Sequence, residues 1–390
     1  MKNIESQDTN HSARGAANLI TLFLCGDVMI GRGIDQVMPH PSDPILYEPY
    51  MRDARGYVEI AEEANGPIPQ PISFSYIWGD ALAEWERTKP DVKIINLETT
   101  ITKSGDYWQG KDIHYRMNPG NIPCLTAAGI DCCALANNHI LDWGYHGLTE
   151  TLRTLKKAKV HGVGVGKNLK EAQSPAVMKV RSKGRVVVFS FGSPDSGIPL
   201  SWAASEDKPG LWLLRELSKE TILNIQENIQ QVKQPKDITI ASIHWGGNWG
   251  YEISREQREF AHRLIDEAGV DIIHGHSAHH VKGIEVYQDK LIIYGCGNFL
   301  DDYEGIGGHE HFRSDLGLMF FPRLDPLTGK LVSLSMIPTQ IKNFRVNLAS
   351  EADARWLSEV LTREGQKLGT EIEVGRDNTL SLRWSKPSRL

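Results

Sequence analysis

The sequence of 390 residues predicts an α/β protein, because short apolar runs alternate with amphipathic stretches from Leu19 to about Pro326. The runs are apolar at nearly every position, which is typical of strands in a sheet that is covered on both faces. The predicted strands are 20–25, 92–96, 132–136, 186–190, 238–243 and 270–273.

Helix signals between these runs support the same class. Ser254 followed by Gln257 has the spacing of a capping box, and the apolar face that follows ends at Gly269. A second amphipathic helix is predicted around 148–155. These helices supply the layers that cover the predicted strands.

The pattern becomes β-rich after Gly283. Apolar runs at 284–287 and 291–294, and then at 316–321 and 331–337, flank short turn sequences. A helix from about Glu351 to Leu368, with Ser350 as its cap, and one short strand follow. We therefore predict a β-rich and helical C-terminal extension.

This organisation divides the chain into three parts. We predict a disordered tail over 1–18, a main domain over 19–326, and a hairpin and helix over 327–390 that pack on the same domain. Segment 35–72 is rich in Pro, Asp and Glu, with a helix near 58–64. It is predicted to be an insertion or lid over the core.

The composition excludes several classes of protein. A formal net charge of -6 and a pI near 6.2 give no overall attraction for nucleic acid. No apolar run approaches the roughly 18 residues of a membrane helix, and the N-terminal residues lack the apolar core of a secretion signal. The five cysteines are typical of buried apolar residues rather than of a disulfide framework. We expect a cytoplasmic protein with no nucleic-acid partner and no integral membrane segment.

Polar residues that can bind a metal follow five of the predicted strands. They are Asp27, Glu98, Asn137 to His139, His244, and the histidines of 274–279. Ligand sites of open α/β sheets lie beyond the carboxyl ends of the strands, so these side chains are expected to meet at one edge. Carboxylate, amide and imidazole ligands suit Mn, Fe, Zn or Mg, whereas a thiolate site is absent.

Each of these residues also has a structural interpretation. Asp27 can cap a helix, Glu98 can be a solvated strand end, and Asn138 can occupy a turn. A single histidine is more often a hydrogen-bonded structural residue than a ligand. The histidines of 274–279 are harder to explain in this way, because several polar rings directly after a buried strand are costly to bury.

Five runs of residues occur in a fixed order along the chain. They are GDVMIGRG (26–33), INLETTIT (95–102), ALANNHILDWGYHGLTETL (134–152), HWGGNWGYE (244–252) and GHSAHHVKGIE (275–285). The set resembles the CapA family of bacterial capsule and poly-γ-glutamate synthesis proteins, from about Ile20 to Phe321. The resemblance implies the fold of the calcineurin-like metallophosphoesterases, a four-layer sandwich of two mixed β-sheets flanked by helices.

The resemblance also implies roles for individual residues. The implied metal ligands are Asp27, Glu98, Asn138, His244, His276 and His279. His139 matches the acid that protonates a leaving group, and Asp142 is placed to orient it. The expected cofactor is a divalent metal ion, Mn, Zn, Mg or Ca, with one or two ions per chain.

Two departures from the phosphoesterase pattern bear on the number of ions. The Asp-x-His of the first strand is here Asp27-Val28-Met29, and Gly-His-x-His is stretched to 275–279. A two-metal phosphatase relies on ions about 3.5–4 Å apart. One ion is therefore at least as well supported as two.

Four further residues are predicted to contact substrate. Arg32 and Arg116 can each bind a carboxylate or phosphate bidentately. His114 lies in a segment that resembles the family near the site, and His309 lies in a Gly-rich loop. The alternatives are arginines in ion pairs and a solvated loop.

Three functions are consistent with these residues. The first is a metal-dependent, hydrolase-like enzyme that acts on a peptide-like or phosphorylated anionic substrate, with His139 as acid/base. The second is a peptide α-carbon epimerase with one metal, in which Asp27 or His309 transfers the proton. The third is a non-catalytic, metal-stabilised subunit that binds a partner protein in a polymer synthase.

Overall fold

The computed structural model describes residues 18–385, so nearly all of the predicted tail over 1–18 lies outside the described residues. The strands are β1 (Ile20–Val28), β2 (Val92–Leu97), β3 (Thr100–Ile101), β4 (Arg116–Met117), β5 (Cys132–Ala134), β6 (His161–Val163), β7 (Val165–Gly166), β8 (Ala176–Val180), β9 (Gly184–Gly192), β10 (Gly210–Leu211), β11 (Asp237–His244), β12 (Ile272–His276), β13 (Ile284–Tyr287), β14 (Lys290–Ile293), β15 (Asn298–Leu300), β16 (Leu316–Asp325), β17 (Lys330–Ile341), β18 (Val346–Leu348), β19 (Thr370–Val374) and β20 (Leu380–Trp384). The helices are α1 (Arg32–Val37), α2 (Arg55–Asn65), α3 (Ala81–Thr88), α4 (Pro123–Ala127), α5 (Gly144–Ala158), α6 (Leu169–Ala172), α7 (Lys219–Gln230), α8 (Arg255–Asp266) and α9 (Glu351–Gln366).

Two large mixed sheets form the centre of the molecule. The first has the order β19-β20-β17-β16-β1-β2-β5-β6, with β15 beside β1 and β18 beside β17. The second has the order β13-β14-β12-β11-β9-β8. In the first sheet the parallel strands β1, β2, β5 and β6 form one side and antiparallel strands form the other. In the second sheet the parallel strands lie at the centre, with an antiparallel strand at each edge.

The apolar side chains fall into three layers that follow from strand alternation. Leu22 and Leu24 of β1 lie in a cluster between the two sheets, whereas Phe23 and Cys25 face the helices on the other side. A third cluster packs α7 and α8 on the outer face of the second sheet. These layers confirm the predicted four-layer sandwich.

The histidine-bearing strand differs from its predicted bounds. A strand is present as predicted, but the bounds 270–273 were wrong, because β12 begins at Ile272 and continues through His276. Its parallel pairing with β11 places His244 directly opposite His276. The ladder of hydrogen bonds therefore extends through the polar residues, which lie in the last positions of the strands rather than after them.

The predicted starts of the two capped helices agree with the structure, whereas α8 and α9 end at Asp266 and Gln366, two or three residues before the predicted ends. The Ser254 side chain accepts a hydrogen bond from the Gln257 backbone at 3.1 Å, which completes a capping box at the start of α8. Ser350 caps α9 in the same way. α5 covers the amphipathic stretch around 148–155.

Segment 35–72 contributes to the core as well as covering it. Its helix α2 and the turns that follow bury Val58, Ala61, Ile68 and Ile72 in the helix-side cluster. Residues 327–385 add β17, β18, β19 and β20 to the first sheet and place α9 against β19. Among residues 18–385, no helix has both the length and the apolar character needed to cross a membrane.

Candidate metal centre

The carboxyl ends of β1, β2, β11 and β12 meet at one edge of the sandwich. Asp27, His244 and His276 are fully buried there, and each offers a ligand atom within 4.8 Å of the others. Glu98 follows β2 and approaches the same point, with Oε1 3.9 Å from His244 Nε2. The two sheets thus bring together side chains that lie up to 249 positions apart along the chain, from Asp27 to His276.

Three buried atoms in this region have no hydrogen-bond partner among the described residues. They are Asp27 Oδ2, His244 Nε2 and Asn138 Oδ1. Leaving a buried polar atom unpaired costs roughly 1–3 kcal/mol, so such atoms are uncommon in folded proteins. Carboxylate, imidazole and amide oxygen or nitrogen lone pairs are ligands for divalent cations. These residues therefore fit a metal ion.

A chain of hydrogen bonds determines which nitrogen of His244 is free. His274 Nε2 must donate to the Cys25 carbonyl at 2.7 Å, so its Nδ1 accepts from Ser242. Ser242 Oγ then accepts from His276 Nε2 at 2.9 Å. His276 Nδ1 in turn accepts from His244 Nδ1 at 2.8 Å. His244 Nε2 is left with a lone pair, and it is the unpartnered atom.

The same chain qualifies the role predicted for His276. Its Nδ1 is occupied by His244 and its Nε2 by Ser242, so in this arrangement it fixes the His244 tautomer. His276 Nδ1 would be available to an ion only without its hydrogen bond to His244, so its role as a ligand stays a prediction. Ser242 and His274, which no motif indicated as partners, orient both rings.

The two carboxylates of the site are unfavourable as a pair of anions. Burial raises the pKa of Asp27 to about 7, although Asn96 donates to its Oδ1 at 2.8 Å and opposes the shift. Burial and then the negative charge of Asp27 raise the pKa of Glu98 well above its usual value. A shared proton or a cation relieves this repulsion.

His139 lies on one side of the cluster, beside Glu98 and Asp142. Its Nδ1 lies 2.6 Å from Asp142 Oδ2, and its Nε2 lies 3.6 Å from Glu98 Oε1. Burial lowers the pKa of His139 to about 4, while Asp142 opposes that shift. Lys111 Nζ lies 2.9 Å from His139 Nδ1 and also contacts Asp142. Lys111 was missed in the sequence because it lies in an irregular segment between β3 and β4.

His279 lies on the other side of Asp27. Its Nδ1 is 4.0 Å from Asp27 Oδ2 and 2.9 Å from Asn298 Oδ1. Asn298 pairs with Asp27 across β15 and β1, and it donates to Asp301 at 2.6 Å. Burial raises the pKa of Asp301 to about 8. Met29, at the position of the absent histidine, places its sulfur 3.8 Å from the Tyr303 hydroxyl.

Arg32 is enclosed by acidic and aromatic side chains. Its guanidinium donates to Asp302 at 2.6 and 3.1 Å and to Glu48 at 3.0 Å. It also lies over the rings of Tyr57 and Tyr115, 3.9 and 4.4 Å from their centroids. These contacts join segment 35–72 to the loop after β15. Substrate binding by Arg32 stays a prediction.

His114 and Arg116 have internal partners of their own. Arg116 donates to the carbonyls of Ser104 and Asp43 and lies 3.8 Å from the centroid of the Trp143 ring. His114 Nε2 lies 2.9 Å from the Trp108 carbonyl oxygen. Both side chains hold neighbouring loops together, and their contact with substrate stays a prediction.

A cavity of about 580 Å³ opens beside the site. Its wall includes Arg32, Trp249, His279, Asp301 and His309. The His309 ring stacks on Trp249 with 3.9 Å between centroids. This volume lies within the range of pockets that enclose small ligands. Of the four predicted substrate residues, Arg32 and His309 line it.

The buried histidines predict a loss of stability in acid. Burial lowers the pKa of His274 to about 4 from the ordinary 6.5, so the folded state favours the neutral ring. Its contribution to the free energy of unfolding is complete above about pH 6.5 and is lost as the pH falls toward 4. We expect His274→Asn to reduce the difference between unfolding free energies measured in urea at about pH 7 and pH 5.

The matched control is His40→Asn, which changes an exposed histidine. Asp27 acts with the opposite sign, since its raised pKa makes the metal-free protein less stable as the pH rises from about 4 to 7. The contribution of Asp27 to the pH dependence is the same in every variant, so a comparison within one metal-free buffer series removes it from the difference. An unchanged pH dependence in His274→Asn would contradict the prediction.

The fold and the carboxylate–histidine–asparagine cluster at the strand ends place the protein in the metallophosphoesterase-like class. A family model described as "Bacterial capsule synthesis protein PGA_cap" matches residues 21–303. The chain belongs to this family of capsule synthesis proteins, as the resemblance to CapA predicted.

Known relatives give the same family. The chain is 47% identical over 369 residues to a "Probable polyglutamine synthesis accessory protein" of Mycobacterium tuberculosis (strain H37Rv), covering 94% of this chain and 97% of the relative. It is 31% identical to the "PGA biosynthesis protein CapA" of Bacillus subtilis (strain 168), covering 73% and 64%. It is 24% identical to the "Capsule biosynthesis protein CapA" of Bacillus anthracis, covering 73% and 60%.

Proposed function

We propose that the protein is a metal-dependent enzyme of capsule or poly-γ-glutamate biosynthesis that acts on a peptide-like substrate. The observation that carries the proposal is the set of buried, unpartnered ligand atoms on Asp27, Asn138 and His244. Two relatives whose names refer to polyglutamine synthesis and to PGA biosynthesis support a peptide-like rather than a phosphorylated substrate.

Asp27, Asn138 and His244 would hold the ion, with Glu98 and His279 beside it and His276 orienting His244. A divalent ion in this position would supply Lewis-acid polarisation of a carbonyl oxygen. Met29 in place of a further ligand favours one ion over two.

The chain's own residues would move the proton. His139 is neutral at pH 7, because burial holds its pKa near 4, so it would accept a proton at Nε2 while Asp142 stabilises the resulting cation. Lys111 holds Asp142 in place from the other side. Trp249 and His309 form an aromatic wall that would shield the substrate backbone from water.

The test is the metal content of the protein purified without chelator. We expect about one divalent ion per chain by mass spectrometry, and a lower midpoint of thermal unfolding after removal of the ion. An ion present at about 100 times its Kd stabilises the folded state by about 2.7 kcal/mol. Titration with Mn, Zn, Mg and Ca would identify the ion. No binding of any of the four would contradict the proposal.

A second candidate is an accessory subunit without catalytic activity. The name of the mycobacterial relative, an accessory protein, favours it. A variant that binds no metal but restores polymer synthesis in a deletion strain would support this candidate.

A separate experiment distinguishes the two kinds of reaction that an enzyme could carry out. Incorporation of solvent deuterium at an α-carbon of a γ-glutamyl peptide would indicate epimerisation, whereas peptide cleavage without exchange would indicate hydrolysis.

A further inference from the structure

A groove of about 760 Å³ lies between the C-terminal half of α5 and the edge strand β6. We call it the basic groove. Its charged lining residues are Arg153, Lys156, Lys159, Lys167 and Glu171, together with His161. The excess of cations is local, because the chain as a whole carries a formal net charge of -6.

The cations of the basic groove are available to a ligand. Arg153, Lys156, Lys159 and Lys167 are exposed, and within residues 18–385 none of their side chains lies in an ion pair. The carboxylate of Glu171 accepts a hydrogen bond from the Lys167 backbone at 3.0 Å and leaves the ammonium group free. By contrast, other surface cations such as Arg185 and Arg263 are held by carboxylates.

The basic groove adjoins a second cavity along α5. This cavity of about 570 Å³ shares Thr149 and Arg153 with the basic groove and extends along α5 to Tyr145. The Tyr145 ring packs edge-on against Trp108, with 5.9 Å between centroids, and Trp108 packs in the same way on Trp202. Lys111, which contacts His139, lies 5.7 Å from the centroid of Trp202.

We propose that the basic groove binds an extended acidic polypeptide, one bearing regularly spaced carboxylates. This proposal rests on the proposed function and names its substrate class. Carboxylates would pair with Arg153, Lys156, Lys159 and Lys167, while the apolar surface around Leu152 would contact the methylene groups between them.

The lining disfavours two other kinds of polyanion. Single-stranded nucleic acid is usually held by aromatic side chains that stack on bases, and the basic groove is lined by no Phe, Tyr or Trp among the described residues. Membrane-surface binding requires apolar side chains that protrude, and the exposed large apolar side chains of the described chain lie outside the basic groove.

The test compares two triple variants that lose the same positive charge. K156Q/K159Q/K167Q changes the basic groove, whereas K179Q/K219Q/K236Q changes exposed lysines outside it. The probe is a fluorescently labelled γ-linked decaglutamate, followed by anisotropy. We expect the groove variant to bind at least about tenfold more weakly than wild type, and the control variant to bind like wild type. Binding by wild type should weaken as the salt concentration rises.

Equal affinities of the two variants, or no binding by wild type, would overturn the proposal. So would tighter binding of duplex DNA or of phosphatidylglycerol vesicles through the same three lysines. The metal content of the same samples separates this proposal from the proposed function. If the wild-type protein binds the peptide but holds no ion, the proposal for the basic groove is supported and the proposal of a metal-dependent enzyme is refuted.

Discussion

Arg32→Met is expected to lower the free energy of unfolding by about 3–5 kcal/mol, because it leaves two buried carboxylates without their cation. Glu48 and Asp302 are fully buried, and Arg32 is the cation that both contact. Burial of these carboxylates is tolerated only while the guanidinium compensates their charge. Chemical denaturation of the metal-loaded protein measures the change.

Arg55→Met is the matched control, since Arg55 pairs with Asp53 in a largely exposed position. It should change stability little, because exposed ion pairs are screened by solvent. Adding Glu48→Gln and Asp302→Asn to Arg32→Met should restore part of the loss, since no buried charge then remains unpaired. If Arg32→Met is no more harmful than the control, Arg32 is free to bind substrate and the structural interpretation fails.

His244→Ala is expected to lower the affinity for the divalent ion by more than about 100-fold. Changing a residue that only orients a ligand already costs about 10–100-fold, and His244 offers its own unpartnered Nε2. Isothermal titration with Zn or Mn measures the affinity. His309→Ala is the control, because His309 lines the same cavity and stacks on Trp249 but is not one of the candidate ligands.

The His244 substitution leaves a gap in a buried hydrogen-bond chain, so folding must be checked separately. Asn138→Ala changes a half-buried residue and removes another unpartnered atom. It should also weaken ion binding while the protein keeps its circular dichroism spectrum. Unchanged affinity in both variants would show that the ion is held elsewhere.

Much of the fold followed from local patterns in the sequence. Continuous apolar runs indicated strands covered on both faces, and the capping-box spacing at Ser254 placed the start of α8 at its observed residue. The boundary of β12 was wrong, because apolar character ends at Ile273 while backbone pairing with β11 continues to His276. Backbone hydrogen bonds do not depend on side-chain polarity, so the apolar pattern ended three residues before the strand did.

The sequence by itself determined the α/β class, the family resemblance and the residue types at the strand ends, since these depend on neighbours along the chain. Only the tertiary structure decided that the histidines of β12 and Ser242 leave His244 Nε2 unpaired, and that Lys111 lies against His139. It also decided that Arg32 is held by Glu48 and Asp302. These contacts join residues up to 270 positions apart, and spacing along the chain carries no information about which distant partners will be buried together.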